Sequence, residues 1–394
     1  MVEKARTMPI ESPRKRSTGR FWRGAALFGA AFLVLNVWVA GARRGLEDER
    51  KRNLLQATAG SVESGRVEPR PGESFESYWQ RIPDARTRRL VFVSGMSQMY
   101  AINDRQPNDR IIADNLDSWL EGRGAMAASL AGPNLCNEEA LFFLCAGLSD
   151  PARRPAVFLY GVCFDKFRNL DLRREYQEFF ANRLELRRRW LAEADDAVDL
   201  PLAAEKMRAT EKGVETEGRA AATREPGKGD VELKLRESVS RVVPVVAARE
   251  ELNARAQMEM FLFRNWLFRI KPTSKRPVIS ARQALNRQFL ELLVSVAKQG
   301  GVVPILYVIP LNPQAENPYI PTEYEDFKVW VAGLANREGI PFANLEGIVP
   351  SQYWGEFMGG PDFKHFRGEG HRMTAAALIE HFGAVMAGDG GVRK

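Results

Sequence analysis

Histidine and cysteine are scarce in this 394-residue chain, with three of each. Cys136, Cys145 and Cys163 are too few for a disulfide framework, although one pair could form in an oxidising compartment. No cluster of Cys, His and carboxylate has metal-ligand spacing, and no metal or organic cofactor is implied. His365, His371 and His381 all fall in the last thirty residues, so any imidazole chemistry must come from the C-terminal end of the chain. Evenly spread basic charge is also missing. The net charge is +7, but residues 1–23 alone hold seven Lys/Arg against Glu3 and Glu11, a net of +5. That distribution marks a membrane flank and argues against nucleic-acid binding. Helical repeats are not apparent.

Charge is absent altogether from Gly24 to Ala42, where Asn36 is the one polar side chain in nineteen residues. At 1.5 Å rise per residue this stretch matches a hydrocarbon core of about 30 Å. Trp22 and Trp38 lie near its two ends, where indoles favour the interface. Ala40-Gly41-Ala42 also fits a signal-peptidase site, but the apolar run exceeds a typical signal-peptide core, which favours an uncleaved anchor. Basic residues follow the segment too (Arg43, Arg44, Arg50, Lys51, Arg52), diluting the charge asymmetry. The expected topology keeps residues 1–23 in the cytoplasm and the bulk of the chain outside it.

Residues 43–87 read as a charged stalk with some helix. Beyond it the pattern becomes that of a parallel α/β domain over 88–387. Leu90 to Val93 is a short apolar run of the kind buried in parallel sheets, and Ala125 to Ala131, Ala156 to Tyr160, Val302 to Ile309 and Ile340 to Leu345 repeat it. Helical stretches intervene at Ile111 to Leu120 and Glu138 to Leu148. A last helix, His371 to Val385, places Met373, Ala377, Leu378, Phe382 and Val385 on one face. Strands separated by helices imply crossovers, hence a sheet covered on both faces. Between the third and fourth strands lies an insertion, about 166–300. It opens with a charged helical stretch (Tyr176 to Leu200). It then passes through Glu205 to Asp230, which has too few large apolar residues to order itself. It also contains Met258 to Ile270, which is apolar almost all round and suits a core or lid helix or a surface that docks on lipid.

Active sites of open parallel sheets form beyond the C-terminal ends of the strands. The first strand ends in Ser94-Gly95-Met96-Ser97, which sets Ser97 on the turn into the next element. Taken alone, Ser97 fits a helix N-cap as well as a nucleophile. A serine nucleophile needs an imidazole base, and the base needs a carboxylate to orient it. His365, in a loop before the last helix, and Asp362 three residues ahead of it can supply both. His371 and His381 read as structural, and Cys136 and Cys163, though they follow strands, read as buried thiols.

These elements resemble the SGNH (GDSL-type) hydrolase superfamily over about 88–165 and 300–387. The resemblance lies in Ser97 after strand one, a small-residue loop after strand two, Gly161 after strand three, and Asp362-Phe363-Lys364-His365 with Gly370 five residues beyond the histidine. It implies a flavodoxin-like three-layer α/β fold, with Ser97 as nucleophile, His365 as base and Asp362 as orienting carboxylate. The first block reads Gly95-Met96-Ser97 in place of Gly-Asp-Ser. The third reads Gly161-Val162-Cys163-Phe164-Asp165, without the asparagine that usually serves the oxyanion hole. The implied hole is then the Ser97 N–H with counterparts at Gly132, Asn134 and Gly161. A membrane anchor ahead of such a domain is similar to envelope proteins of the DltD and alginate-acetylation kind. That likeness implies an inner-membrane protein whose soluble domain faces the periplasm, with a membrane-bound O-acyltransferase as partner and polysaccharide acyl esters as substrate. A non-catalytic scaffold on the same fold is the other reading that the altered third block leaves open.

Overall fold

The computed structural model describes residues 68–69, 73–132, 134–168, 274–357 and 360–389, with isolated positions between 176 and 207. The apolar segment Gly24 to Ala42, the stretch Glu205 to Asp230 beyond Met207, and Met258 to Ile270 lie outside the described residues. Among the described residues no helix is long and apolar enough to cross a membrane.

Five strands form one parallel sheet: β1 (Arg89–Gly95), β2 (Ala125–Ala131), β3 (Val157–Val162), β4 (Val303–Val308) and β5 (Phe342–Asn344). Their order is β2-β1-β3-β4-β5, all neighbours parallel. This is the doubly wound order whose switch point lies between β1 and β3. Side chains alternate between the faces as a period of two requires. Leu90, Phe92, Phe158 and Tyr160 enter one core, while Val91, Val93, Val157 and Leu159 enter the other. On the first face lie α1 (Phe75–Arg81), α3 (Asn137–Ser149), α4 (Ser280–Gln299) and α5 (Pro321–Glu338); on the second lie α2 (Ile112–Glu121) and α6 (Gly368–Ala387).

Four expectations need correction. The stalk ends earlier than 87, because Phe75, Tyr78, Trp79 and Ile82 recur at helical spacing and α1 packs them onto the sheet. Tyr78 and Trp79 are buried, and the Tyr78 hydroxyl donates to Ser129 O at 2.8 Å. The apolar stripe is hidden by the charges between its members. Residues 280–299 are not insertion but the crossover helix into β4, burying Phe289, Leu290, Leu293 and Val294. Nor is the segment before the last helix a loop. Gly360–Phe366 is strand β7, antiparallel to β6 (Trp354–Phe357). The last helix itself opens at Gly368, and its buried face runs through Thr374, Ala375, Leu378, Phe382 and Met386. Met373, Ala377 and Val385, expected on that face, are only partly covered.

Candidate active site

β1 delivers Ser97. The strand ends at Gly95, Met96 stays extended, and Ser97–Met99 closes a 3-10 turn, with the Ala101 N–H donating to Ser97 O at 2.7 Å. Gly95 makes the tight return feasible: a Cβ there would meet Met99 Cγ at 2.5 Å. The Ser97 hydroxyl is therefore presented at the C-terminal edge of the sheet, next to the switch point.

β7 delivers the other two groups. Ser97 Oγ lies 2.8 Å from His365 Nε2, and His365 Nδ1 lies 2.8 Å from Asp362 Oδ2. Asp362 Oδ1 accepts the backbone N–H groups of Lys364 (3.0 Å) and His365 (3.2 Å), and Asn103 Nδ2 approaches Oδ2 at 3.5 Å. Burial pushes the Asp362 carboxyl upward. The hydrogen bond and charge of His365 and the two backbone donors outweigh that, leaving it below the usual carboxylate range. An ionised Asp362 only accepts, so Nδ1 carries the ring proton and Nε2 is left to accept from Ser97. The carboxylate is nearly sealed, at 5% exposed, whereas the imidazole keeps 24% of its surface open. The nucleophile–base pair thus meets solvent while its orienting group does not.

The neighbourhood is tightly tied by ion pairs. Asp165, just past β3, is buried and takes Arg276 Nη1 at 2.9 Å and Lys364 Nζ at 3.3 Å, so the residue next to His365 is anchored on a third element. A cavity of about 450 Å³ lies at the same sheet edge, lined in part by Leu311, Asn312, Asn344 and Glu346.

Two of the expected oxyanion residues have close neighbours of their own. The Gly132 N–H is already engaged with Gly95 O at 3.2 Å, holding the β2 loop against β1. Gly161 lies inside β3, and the space its missing Cβ leaves is filled by the Tyr307 hydroxyl, 2.8 Å from where that Cβ would stand. Asn134 is exposed after β2 with φ +52°, a left-handed conformation that asparagine tolerates. No hydrogen bond ties its side chain to the triad. Cys136, Cys145 and Cys163 are buried, each as a thiol outside any disulfide. Burial pushes the Cys136 and Cys163 thiols up, so neither is a ready nucleophile. His371 is buried in α6 with Nε2 3.3 Å from Ala101 O, and burial pushes it down to about 3, so it stays neutral. His381 is exposed on the same helix. Among the described residues no His, Cys, Asp and Glu group could hold a metal ion.

Reading the sequence alone misses Asn103, Gln98 and Asn312, which surround the triad. Gln98 carried a signal, since a polar side chain directly after the nucleophile in a strand-to-helix turn must find partners. The other two are remote in sequence and carried none.

Fold and site together define a class: a doubly wound α/β protein with serine, histidine and aspartate in the relay order used for nucleophilic acyl transfer. No family model matches the chain, and no curated protein sequence matches it either. Several solved structures overlap with it, two of them crystal structures of bacterial proteins. One is a Bacteroides fragilis protein assigned as an acylhydrolase, with a TM-score of 0.33 and 10% identity, covering 84% of this chain and 95% of that one. The other is a GDSL-like lipase from Bacteroides thetaiotaomicron, also at TM-score 0.33 and 10% identity, covering 77% of this chain and 91% of that one. At that TM-score neither likeness bears on function, which has to come from the site.

Proposed function

We propose that the protein is an SGNH-type serine esterase or O-acyltransferase, held at the inner membrane by Gly24 to Ala42 with its catalytic domain in the periplasm. The observation that carries this reading is the relay of two 2.8 Å contacts, from Ser97 through His365 to Asp362. Ser97 Oγ attacks the ester carbonyl while its proton passes to His365 Nε2. The imidazolium is stabilised by Asp362, and the tetrahedral oxyanion is held by the Ser97 N–H with Asn134 from the β2 loop. The leaving alkoxide takes the proton from Nε2, and the acyl group remains on Ser97. A water molecule or a sugar hydroxyl, deprotonated by the same imidazole, then resolves the acyl-enzyme. The cavity of about 450 Å³ beside β4 and β5, with Asn312, Asn344 and Glu346 in its wall, has room for such an acceptor. The substrates proposed are acyl esters, chiefly acetyl, of an envelope polysaccharide, worked on beside a membrane-bound O-acyltransferase.

A fluorophosphonate probe tests the chemistry directly. Purified protein should become labelled at Ser97, as read by peptide mass spectrometry, and Ser97→Ala should abolish labelling. An unlabelled wild-type protein would shift the reading to the scaffold, which the engaged Gly132 N–H and the missing third-block asparagine favour. Topology is tested separately. Protease added outside the inner membrane should digest the domain, and the mature N-terminus should precede Ala42; a terminus at Arg43 would make the protein secreted.

A further inference from the structure

The middle of the strand that carries Asp362 and His365 is not held by its own ladder. β6 pairs with β7 at Trp354–Phe366, Glu356–Pro361 and Phe357–Gly360, so between the outer pairs the single residue Gly355 faces the four residues 362–365. Those four form a bulge, where the ladder supplies no partners and the backbone polar groups must find them elsewhere. For the carbonyls, two residues from other elements, Gln98 and Asn312, provide them. Gln98 Nε2 donates to Lys364 O at 2.7 Å and, with its other hydrogen, to Pro310 O at 2.7 Å. Asn312 Nδ2 donates to Asp362 O at 2.9 Å, and the Asn312 N–H donates to Phe363 O at 2.9 Å. Three consecutive carbonyls of the Asp-x-x-His segment are thereby held from outside the ribbon.

We propose that Gln98 and Asn312 are positioning residues that set the Asp362–His365 bulge against Ser97, so that the nucleophile–base distance is fixed by these amides rather than by β6–β7 pairing. The proposal rests on the catalytic reading of the triad given above. Gln98 is the residue after the nucleophile, so one rigid turn presents Ser97 Oγ to the imidazole and grips the carbonyl next to it. Gln98 is 1% exposed, and its Oε1 has no partner among the described residues. A buried acceptor left unpaired costs stability, which an apolar side chain of the same length would avoid. The amide's two donors are what distinguish it from such a side chain. Asn312 uses both ends of its amide, its Oδ1 accepting from the Gln314 N–H at 3.0 Å.

The test compares Gln98→Met, which keeps the length and removes both donors, with Gln98→Glu, which keeps the shape and loses both donors when ionised. On p-nitrophenyl acetate, kcat should fall about 10- to 100-fold with KM within about twofold, because misplacement on the scale of 1 Å costs up to about 10² in rate. In a His365→Ala background Gln98→Met should cost less than about twofold, since Gln98 acts through the imidazole. A readout independent of turnover comes from the protein's three histidines, labelled with 15N. The His365 Nδ1–H signal, assigned by its absence in His365→Ala, should broaden or vanish in both Gln98 variants while the amide fingerprint stays folded. Wild-type kcat in a folded Gln98 variant, an equal loss in the His365→Ala background, or an unchanged His365 signal would each overturn the proposal. Should Gln98→Met not fold, Gln98→Glu and Asn312→Ser carry the same measurements. A wild type that resists the fluorophosphonate would sink the esterase reading alone, and the histidine signal would still decide the positioning.

Discussion

Replacing Asp362 by asparagine changes one atom and should cost nearly all the activity, for a reason visible in the contacts. The carboxylate uses one oxygen for the Lys364 and His365 N–H groups, at 3.0 and 3.2 Å, and the other for His365 Nδ1 at 2.8 Å. An amide has a single acceptor. With its oxygen toward the two backbone donors it keeps two hydrogen bonds of about 1 kcal/mol each; turned the other way it opposes both N–H groups and leaves them unpaired. The first orientation wins, and it aims the amide NH₂ at Nδ1. The ring proton then moves to Nε2, which faces Ser97 Oγ at 2.8 Å and becomes a donor where an acceptor is needed. Loss of the correct tautomer is worth about 10³–10⁴ in turnover, or roughly 4–5.5 kcal/mol of barrier. Asp362→Ala leaves both tautomers open and should cost less than Asp362→Asn. Turnover of p-nitrophenyl acetate and the rate of fluorophosphonate labelling measure the effect, with thermal unfolding as the check on the fold. A folded Asp362→Asn protein that kept more than about a tenth of wild-type turnover would refute the tautomer argument.

Ser97→Ala and His365→Ala should each remove most ester turnover, and the double variant should lose little more, because the pair acts as one unit; additive losses in kcat would show that the two residues work separately. His371 is held neutral by burial, down to about 3 from an ordinary 6.5, so below pH 6.5 the unfolded chain binds a proton that the folded one refuses. Stability should therefore fall as pH drops from about 6.5 toward 3, by roughly 4–5 kcal/mol in all, and His371→Leu should flatten that slope in urea titrations at pH 7 and 4.5. Lys166 is fully buried over the Tyr160 ring, 3.6 Å from its centroid, and burial pushes its ammonium down to about 7. Between about pH 7 and 10.5 the unfolded state again holds the extra proton, so stability should rise across that window. Lys166→Met should abolish the rise and raise the melting temperature at pH 7; a lower melting temperature would mean that the cation–π contact outweighs desolvation.

Each part of the protein that the sequence determined by itself rests on local physics. A strand buried on both faces must be an unbroken apolar run, so the five sheet strands could be read from composition within a few residues. A carboxylate three residues before a histidine can reach its ring within one stretch of backbone, so Asp362 and His365 were recognisable as a pair before their setting was known. Ser97 was legible because the end of a parallel strand is where a turn residue faces the open edge. Only the tertiary structure decided the rest. Whether Ser97 meets His365, 268 residues away, depends on the β2-β1-β3-β4-β5 order and on α6 returning over the sheet, which no window of sequence encodes. The bulge in β7 was misread as a loop because its backbone partners, Gln98 and Asn312, lie 266 and 50 residues away from the carbonyls they hold. The surroundings of Gly132 and Gly161 are hidden for the same cause: a glycine in a sequence does not say whether its N–H is already engaged or what fills the space beside it. Buried polar groups must be satisfied, but which partner satisfies them is settled only when the chain is packed.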